Sequence, residues 1–234
     1  GPALPATGFF RVAKHAGKWW LVDPAGKLFF SHGLDCVSTG EGLTPIDERS
    51  KWFKDLPAPD SEYQACYGRA DFVVRGYYAG KQPMCFDFGR ANLRRAYGKR
   101  WPAAFSDLTH RRLRSWGLNT IAGWSDPAIY LQQRTPYTAT VWFGGKLLEG
   151  SEGYWGKFRD VFDPSFRTEL QQGLAQQAGK SAGDPWCIGF FVDNEVAWGE
   201  DDVSLAVAAL TSPAGQAAKQ VFVADLQAKY AEIA

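Results

Sequence analysis

The residues of this chain best suited to chemistry are Asp193, Asn194 and Glu195. They end the apolar run Cys187-Ile188-Gly189-Phe190-Phe191-Val192, and Trp198 and Gly199 lie just beyond. A carboxylic acid can give or take a proton, and surroundings that disfavour its charged form suit it to the donor role. An unbroken apolar run of this length predicts a strand buried on both faces, as in a parallel sheet covered by helices. Three polar residues have no packing purpose at the end of such a strand. In a barrel of alternating strands and helices, the C-terminal strand ends are where chemistry sits. Glu195 is therefore the candidate catalytic acid/base.

Other candidates fall at predicted strand ends. His32 and Asp35 lie in the run Phe29 to Val37, where the histidine is either a satisfied core residue or a substrate contact. Trp124, Trp142 and Trp198 sit at or just beyond strand ends; each either packs in the core or offers a flat apolar platform to a pyranose ring. Asp126 and Asp163 each precede a proline and read as helix caps. No Cys-x-x-Cys or His-x-x-x-His spacing occurs, so neither a metal site nor a cofactor is expected.

The elements that must position these residues follow from the pattern along the chain. Gly1-Pro2 has the look of a tag-cleavage remnant, and residues 1–8 read as a leader ahead of a single domain over 9–234. Two short β-type runs flank Asp23-Pro24-Ala25-Gly26, which predicts a hairpin. The second run continues through Phe29 to Val37 as a first core strand. Residues 38–104 read as a long loop insertion, a cleft wall or lid, with short helical turns near Arg49 to Leu56 and Ala91 to Tyr97. A helix over Ser106 to Ser115 gathers Phe105, Leu108, Leu113 and Trp116 within an arc of about 140°, and Gly117 stops it.

Strand and helix then alternate. Leu118 to Trp124 and Tyr137 to Phe143 are the second and third strands. Asp163-Pro164 opens a helix with Phe166, Leu170, Leu174 and Ala178 on one face, ended by Gly179, and Cys187 to Val192 is the fourth strand. Beyond it come two helices, Val203 to Leu210 and one opened by Ser212-Pro213 with Ala218, Phe222, Leu226, Tyr230 and Ile233 along one side. This alternation predicts βαβ units and a parallel sheet: an α/β fold of the (β/α)8 TIM-barrel type with about four of the eight units present.

Composition narrows the partners. A net charge of +1 on 234 residues argues against nucleic acid, and the basic stretches Arg90 to Arg100 and Arg111 to Arg114 read as solvated helix faces. No apolar run approaches the roughly 20 residues that cross a bilayer. Ten Trp, nine Tyr and sixteen Phe are the outlier, and tryptophans beside glycines in turns suit sugar-binding clefts. Of the four cysteines, Cys36 and Cys187 fall in predicted core strands; Cys66 and Cys85, in the long loop region, can bridge if the protein is exported.

Three phrases carry a family resemblance: Gly117-Leu118-Asn119-Thr120-Ile121-Ala122-Gly123-Trp124-Ser125-Asp126, Val161-Phe162-Asp163-Pro164-Ser165-Phe166, and Gly189 to Glu195 followed by Trp198-Gly199. They resemble the barrel domain of agarase-type β-glycoside hydrolases, members of the large clan of retaining (β/α)8 enzymes (glycoside hydrolase clan A). In that clan the acid/base Glu follows an Asn at the end of strand four, which here is Asn194-Glu195. The resemblance implies that Asn194 bonds the sugar 2-hydroxyl, that the substrate is a β-linked galactose-containing oligo- or polysaccharide, and that the protein is secreted or periplasmic. It also implies a nucleophilic Glu on strand seven, which the sequence up to Ala234 does not contain. A second chain or segment is therefore expected to complete the barrel. Two other readings stay open: a β-galactosidase or other β-glycanase of the clan, and a non-catalytic carbohydrate-binding or assembly half-barrel.

Overall fold

The turn Asp23-Pro24-Ala25-Gly26 forms as its residue types predict. Gly26 N donates to Asp23 O (2.9 Å) and Asp23 N to Lys27 O (2.9 Å), while Lys27 N donates to the Asp23 carboxylate (2.8 Å). The computed structural model describes residues 3–69 and 76–231; Gly1-Pro2, read as a tag remnant, and Ile233, placed on the last helix face, lie outside them. Residues 3–8 are tied to this turn through Leu4 N and Gly26 O (2.7 Å). Two compact units divide the chain: one takes Val12–Leu21 and Leu28–Tyr137, the other the segment up to Arg11, Val22–Lys27 and everything from Thr138 onward.

β1 (Arg11–His15) and β2 (Lys18–Val22), which belong to the first unit apart from Arg11 and Val22, form a sheet with β3 (Leu28–Phe29) in that order. The run expected as one strand from Phe29 to Val37 is broken: β3 ends at Phe29, and β4 (Gly33–Leu34) belongs to a different, parallel ladder. The stretch 38–104 is more ordered than a loop. It holds β5 (Leu43–Pro45), β6 (Tyr67–Arg69) and β7 (Met84–Asp87), with β7 central and antiparallel to both neighbours, then α1 (Phe88–Tyr97). Ile46, Cys66, Phe86 and Ala91 are its buried core, and Phe53, Leu56, Tyr63 and Tyr67 pack on them.

Next comes α2 (Trp101–Ser115), longer than expected at its N-terminus because Pro102 occupies the first turn, where no N–H is needed. Its buried face is Ser106, Thr109, His110 and Leu113; Trp116 is exposed. The ring of His110 bonds the Thr135 hydroxyl through Nδ1 (2.9 Å) and the Ile129 carbonyl through Nε2 (3.2 Å). A carbonyl only accepts, so Nε2 carries the proton and Nδ1 accepts in the neutral ring. Burial, then the nearby Arg134 charge, pushes the His110 pKa below its ordinary value. Within the basic stretch, Arg111 pairs with Asp107 one turn away (2.9 Å).

The second predicted strand shrinks to β8 (Thr120–Ile121), parallel to β4, and Ile121 pairs in parallel with Tyr137. The β4–β8 ladder nevertheless runs past those labels, from Asn119 N to His32 O (2.8 Å) to Cys36 N to Gly123 O (2.8 Å). Gly33 is required here: a Cβ would sit 1.9 Å from the Thr120 carbonyl oxygen. α3 (Pro127–Tyr130) is capped by Asp126, as expected.

The second unit contains β9 (Tyr137–Val141) after its first residue, and Ala139 and Val141 alternate inward. α4 (Pro164–Ala175) is capped by Asp163. Its Phe166 and Leu170 are half-buried, but Leu174 and Ala178 are exposed and Gly173 is the buried position. β10 (Cys187–Val192) lies beside β9. It was expected to be covered on both faces, yet Phe190, Phe191 and Val192 are 41%, 59% and 48% exposed, and no strand pairs with its other edge among the described residues.

α5 (Ser204–Thr211) and α6 (Ala217–Tyr230) follow. The expected start of α6 at Ser212-Pro213 is displaced because the Ser212 hydroxyl donates to Ala208 O (2.8 Å) at the end of α5. The buried Asp160 carboxylate instead receives Ala218 N (3.1 Å) and the Gln216 side chain. No described helix is long and apolar enough to cross a membrane.

Candidate active site

The end of β10 is fixed before it reaches Glu195. Asp193 N donates to Val141 O (3.0 Å), the last rung shared with β9. One oxygen of the Asp193 carboxylate accepts Asn194 N (2.9 Å), and the other meets Arg159 Nε (3.1 Å), with both side chains mostly buried. The Arg159 guanidinium also lies over the Phe143 ring, 4.8 Å from its centroid. Asp193 (φ +63°) and Glu195 (φ +47°) both adopt left-handed backbone, uncommon for residues other than glycine and costing on the order of 1 kcal/mol each. These two turns end the strand sharply and carry the Glu195 side chain to its surface.

That surface is a cleft of about 1020 Å³, lined by Gly150 to Trp155 on one side and Glu195 to Asp201 on the other. Segments 146–148 and 158–160 pair antiparallel: Leu148 N donates to Phe158 O (2.7 Å) and Asp160 N to Lys146 O (2.8 Å). At the tip, the buried Ser151 hydroxyl donates to Leu148 O (2.7 Å) and accepts Phe158 N (2.8 Å). Gly153 permits the tip to close on Ala197, since a Cβ there would meet the Ala197 methyl at 2.2 Å. The tip delivers Trp155, whose indole N–H donates to Glu195 Oε2. The carboxyl group is exposed rather than enclosed, with Trp155 covering one oxygen.

The expected site residues separate by unit. Trp198 joins Glu195 in the cleft, exposed and leaning on Phe158 (5.2 Å between ring centroids). Asn194 is half-buried and outside the cleft lining. Trp142 follows β9 and is exposed, outside the cleft lining. In the first unit, Asp35 and Trp124 flank the last β4–β8 rung, at the C-terminal strand ends, and both are exposed; Trp124 has φ +57°. His32 stands at the opposite end, just before β4. It is exposed, which removes the core reading. Cys36, expected to be buried in a strand, is exposed at φ +51°, whereas burial pushes the Cys187 thiol pKa up.

Trp155 and Arg159 were not expected at the site. The Gly-rich aromatic stretch ending in Tyr154-Trp155-Gly156 was the available signal for the first. For the second there was none, because its partner lies 34 residues away. Among the described residues no cluster of His, Cys, Asp and Glu is arranged to hold a metal. The arrangement suits proton transfer at an open, tryptophan-walled cleft.

The class this defines is a mixed α/β fold with parallel strands and an acidic site at a strand end. No family model matches the chain. Over 261 aligned residues it is 36% identical to Beta-agarase B of Vibrio sp. (strain JT0107), an alignment covering 98% of this chain and 27% of that protein. Among solved structures, an agarase (AgWH50C) superposes with a TM-score of 0.86 at 30% identity, over 99% of this chain and 36% of that one. An exo-beta-agarase superposes with a TM-score of 0.88 at 27% identity, over 99% and 38%. The chain is thus similar to beta-agarases in sequence and fold along nearly its whole length, and it spans about a quarter of the curated relative.

Proposed function

We propose that this chain is part of a retaining β-glycoside hydrolase acting on β-linked galactose-containing polysaccharide, with Glu195 as its acid/base. β4, β8, β9 and β10 serve as the first four strands of a (β/α)8 barrel in this reading. The observation that carries it is the Glu195 carboxyl at the end of β10, held by Trp155 in an aromatic cleft, in a chain related to beta-agarases. Glu195 protonates the glycosidic oxygen while a second carboxylate, about 5–5.5 Å away, attacks the anomeric carbon; Glu195 then takes the proton from the water that releases the sugar. That second carboxylate comes from a further chain or segment. Asn194 bonds the sugar 2-hydroxyl, and Trp198 stacks on a ring. Asp35, Trp124 and Trp142 are substrate contacts in the same reading, and an agar-type polysaccharide substrate implies export.

The test is hydrolysis of agarose oligosaccharides by the protein that carries this chain and the rest of the barrel, with and without Glu195→Gln. Loss of activity by at least about a hundredfold is expected; unchanged hydrolysis would remove Glu195 from the mechanism. Binding without turnover in the completed protein would favour the non-catalytic reading.

A further inference from the structure

We propose that Trp155 is a positioning residue for Glu195 and selects which of its two oxygens carries the catalytic proton. This rests on Glu195 being the acid/base. An indole N–H is a donor with no acceptor capacity. Because it donates to Glu195 Oε2, the oxygen it engages has no room for a proton directed along the same line. The unprotonated oxygen of a carboxylic acid is the better acceptor, so a donor on Oε2 favours the acid form with its proton on Oε1. The bond from the indole thus orients the carboxyl from across the cleft.

The support behind the indole is what a positioning role needs. The tip that carries Trp155 is pinned at its base by the 146–148 and 158–160 pairing, across its middle by the buried Ser151 hydroxyl, and against Ala197 by Gly153. Tyr154 meets the indole edge-on, with ring centroids 4.7 Å apart at 90°. Glu195 is held from its own side by strand-end turns at Asp193 and Glu195. Two separately anchored segments thus meet at one hydrogen bond.

In the first step the Oε1 proton passes to the glycosidic oxygen as the bond from that oxygen to the anomeric carbon breaks. The bonding electron pair leaves with the departing sugar hydroxyl, and the second carboxylate forms the new bond to carbon. Glu195 is left as a carboxylate, to which the indole N–H continues to donate. In the second step water attacks the anomeric carbon, its proton returns to Oε1, and the carbon–carboxylate bond breaks.

The experiment uses the complete catalytic barrel, with Trp155→Phe, which keeps a ring and removes the N–H, and Trp155→His, which keeps a ring N–H. kcat/KM is measured on an agarose oligosaccharide, whose leaving group needs a proton, and on the same oligosaccharide bearing a dinitrophenyl aglycone, whose leaving group does not. For Trp155→Phe the expected loss is roughly ten- to a hundredfold on the first substrate and no more than about threefold on the second, with partial recovery in Trp155→His. Equal losses on both substrates, or none on either, would overturn the proposal. Glu195→Gln separates the layers: full activity on the first substrate rejects the acid/base reading itself, whereas an inactive Glu195→Gln beside an unaffected Trp155→Phe rejects only the role of Trp155.

Discussion

The β5–β7–β6 sheet and β10 are built from similar apolar residues and end in opposite states. In the first, Phe86 is almost fully buried, stacked edge-on between Tyr67 (4.8 Å) and Phe88 (4.9 Å). In the second, Phe190 and Phe191 are exposed at the end of the strand that leads to Glu195. The difference lies in what each strand finds to pack on. β7 has a strand on either side and α1 following directly, whereas β10 has only β9 among the described residues. An apolar run states what a strand must bury in the working protein; burial itself also needs the partner. The exposed half of β10 fits the reading in which further strands continue the sheet.

The largest expected contrast is between Phe86→Ala and Phe191→Ser in this chain. The first removes a fully packed ring and should cost about 3–5 kcal/mol in urea unfolding. The second should change stability by no more than about 0.5 kcal/mol. A cost for Phe191→Ser approaching that of Phe86→Ala would show that β10 is covered after all. Asp160→Ala comes next, because it strips a buried carboxylate from the start of α6, strands the Ala218 N–H and removes one partner of the Gln216 amide; about 2–3 kcal/mol is expected, read in the same assay. Asp163→Ala removes the cap of α4, a carboxylate held below its usual pKa by the Ser165 hydroxyl and N–H, and should lower the urea midpoint by less than Asp160→Ala does.

The smallest effect is a pH dependence in the first unit. The lowered His110 pKa means that the unfolded chain binds more protons than the folded one between the two pKa values. Stability from this group is therefore fully present above about pH 6.5 and is lost as the pH falls toward the folded-state value. The fall in melting temperature between pH 7 and pH 5 should be shallower in His110→Gln. An identical slope would mean that the buried ring is not what titrates.

Local chemistry made much of this fold legible. Asp126-Pro127 and Asp163-Pro164 cap helices because a short carboxylate and a prolyl ring suit the first helical turn. The Asp23–Gly26 turn and the bounds of β10 were equally readable, and so was the position of Glu195 just past its end. Non-local partners hid the rest. β5 and β7 are short, contain or follow prolines, and meet across about 40 residues, so neither shows a strand period of its own. The tip bearing Trp155 owes its shape to Ser151 and Gly153, whose bonds and contacts have no periodic signature. The start of α6 is set by Asp160, far from the serine and proline that suggested another beginning. His32 lies at the opposite end of the strand from Asp35, because its carbonyl opens the ladder by accepting Asn119 N, a pairing made across 87 residues that its own segment does not signal.

The central claim is that Glu195 is the acid/base and not the nucleophile. The most direct measurement is azide rescue of Glu195→Ala in the complete protein, using an agarose oligosaccharide with a dinitrophenyl aglycone. That leaving group departs unaided, and azide replaces the water that the missing carboxylate no longer activates. The account predicts restored turnover and a β-configured glycosyl azide. An α-configured azide would make Glu195 the nucleophile, and no rescue of an inactive, folded variant would contradict the acid/base assignment.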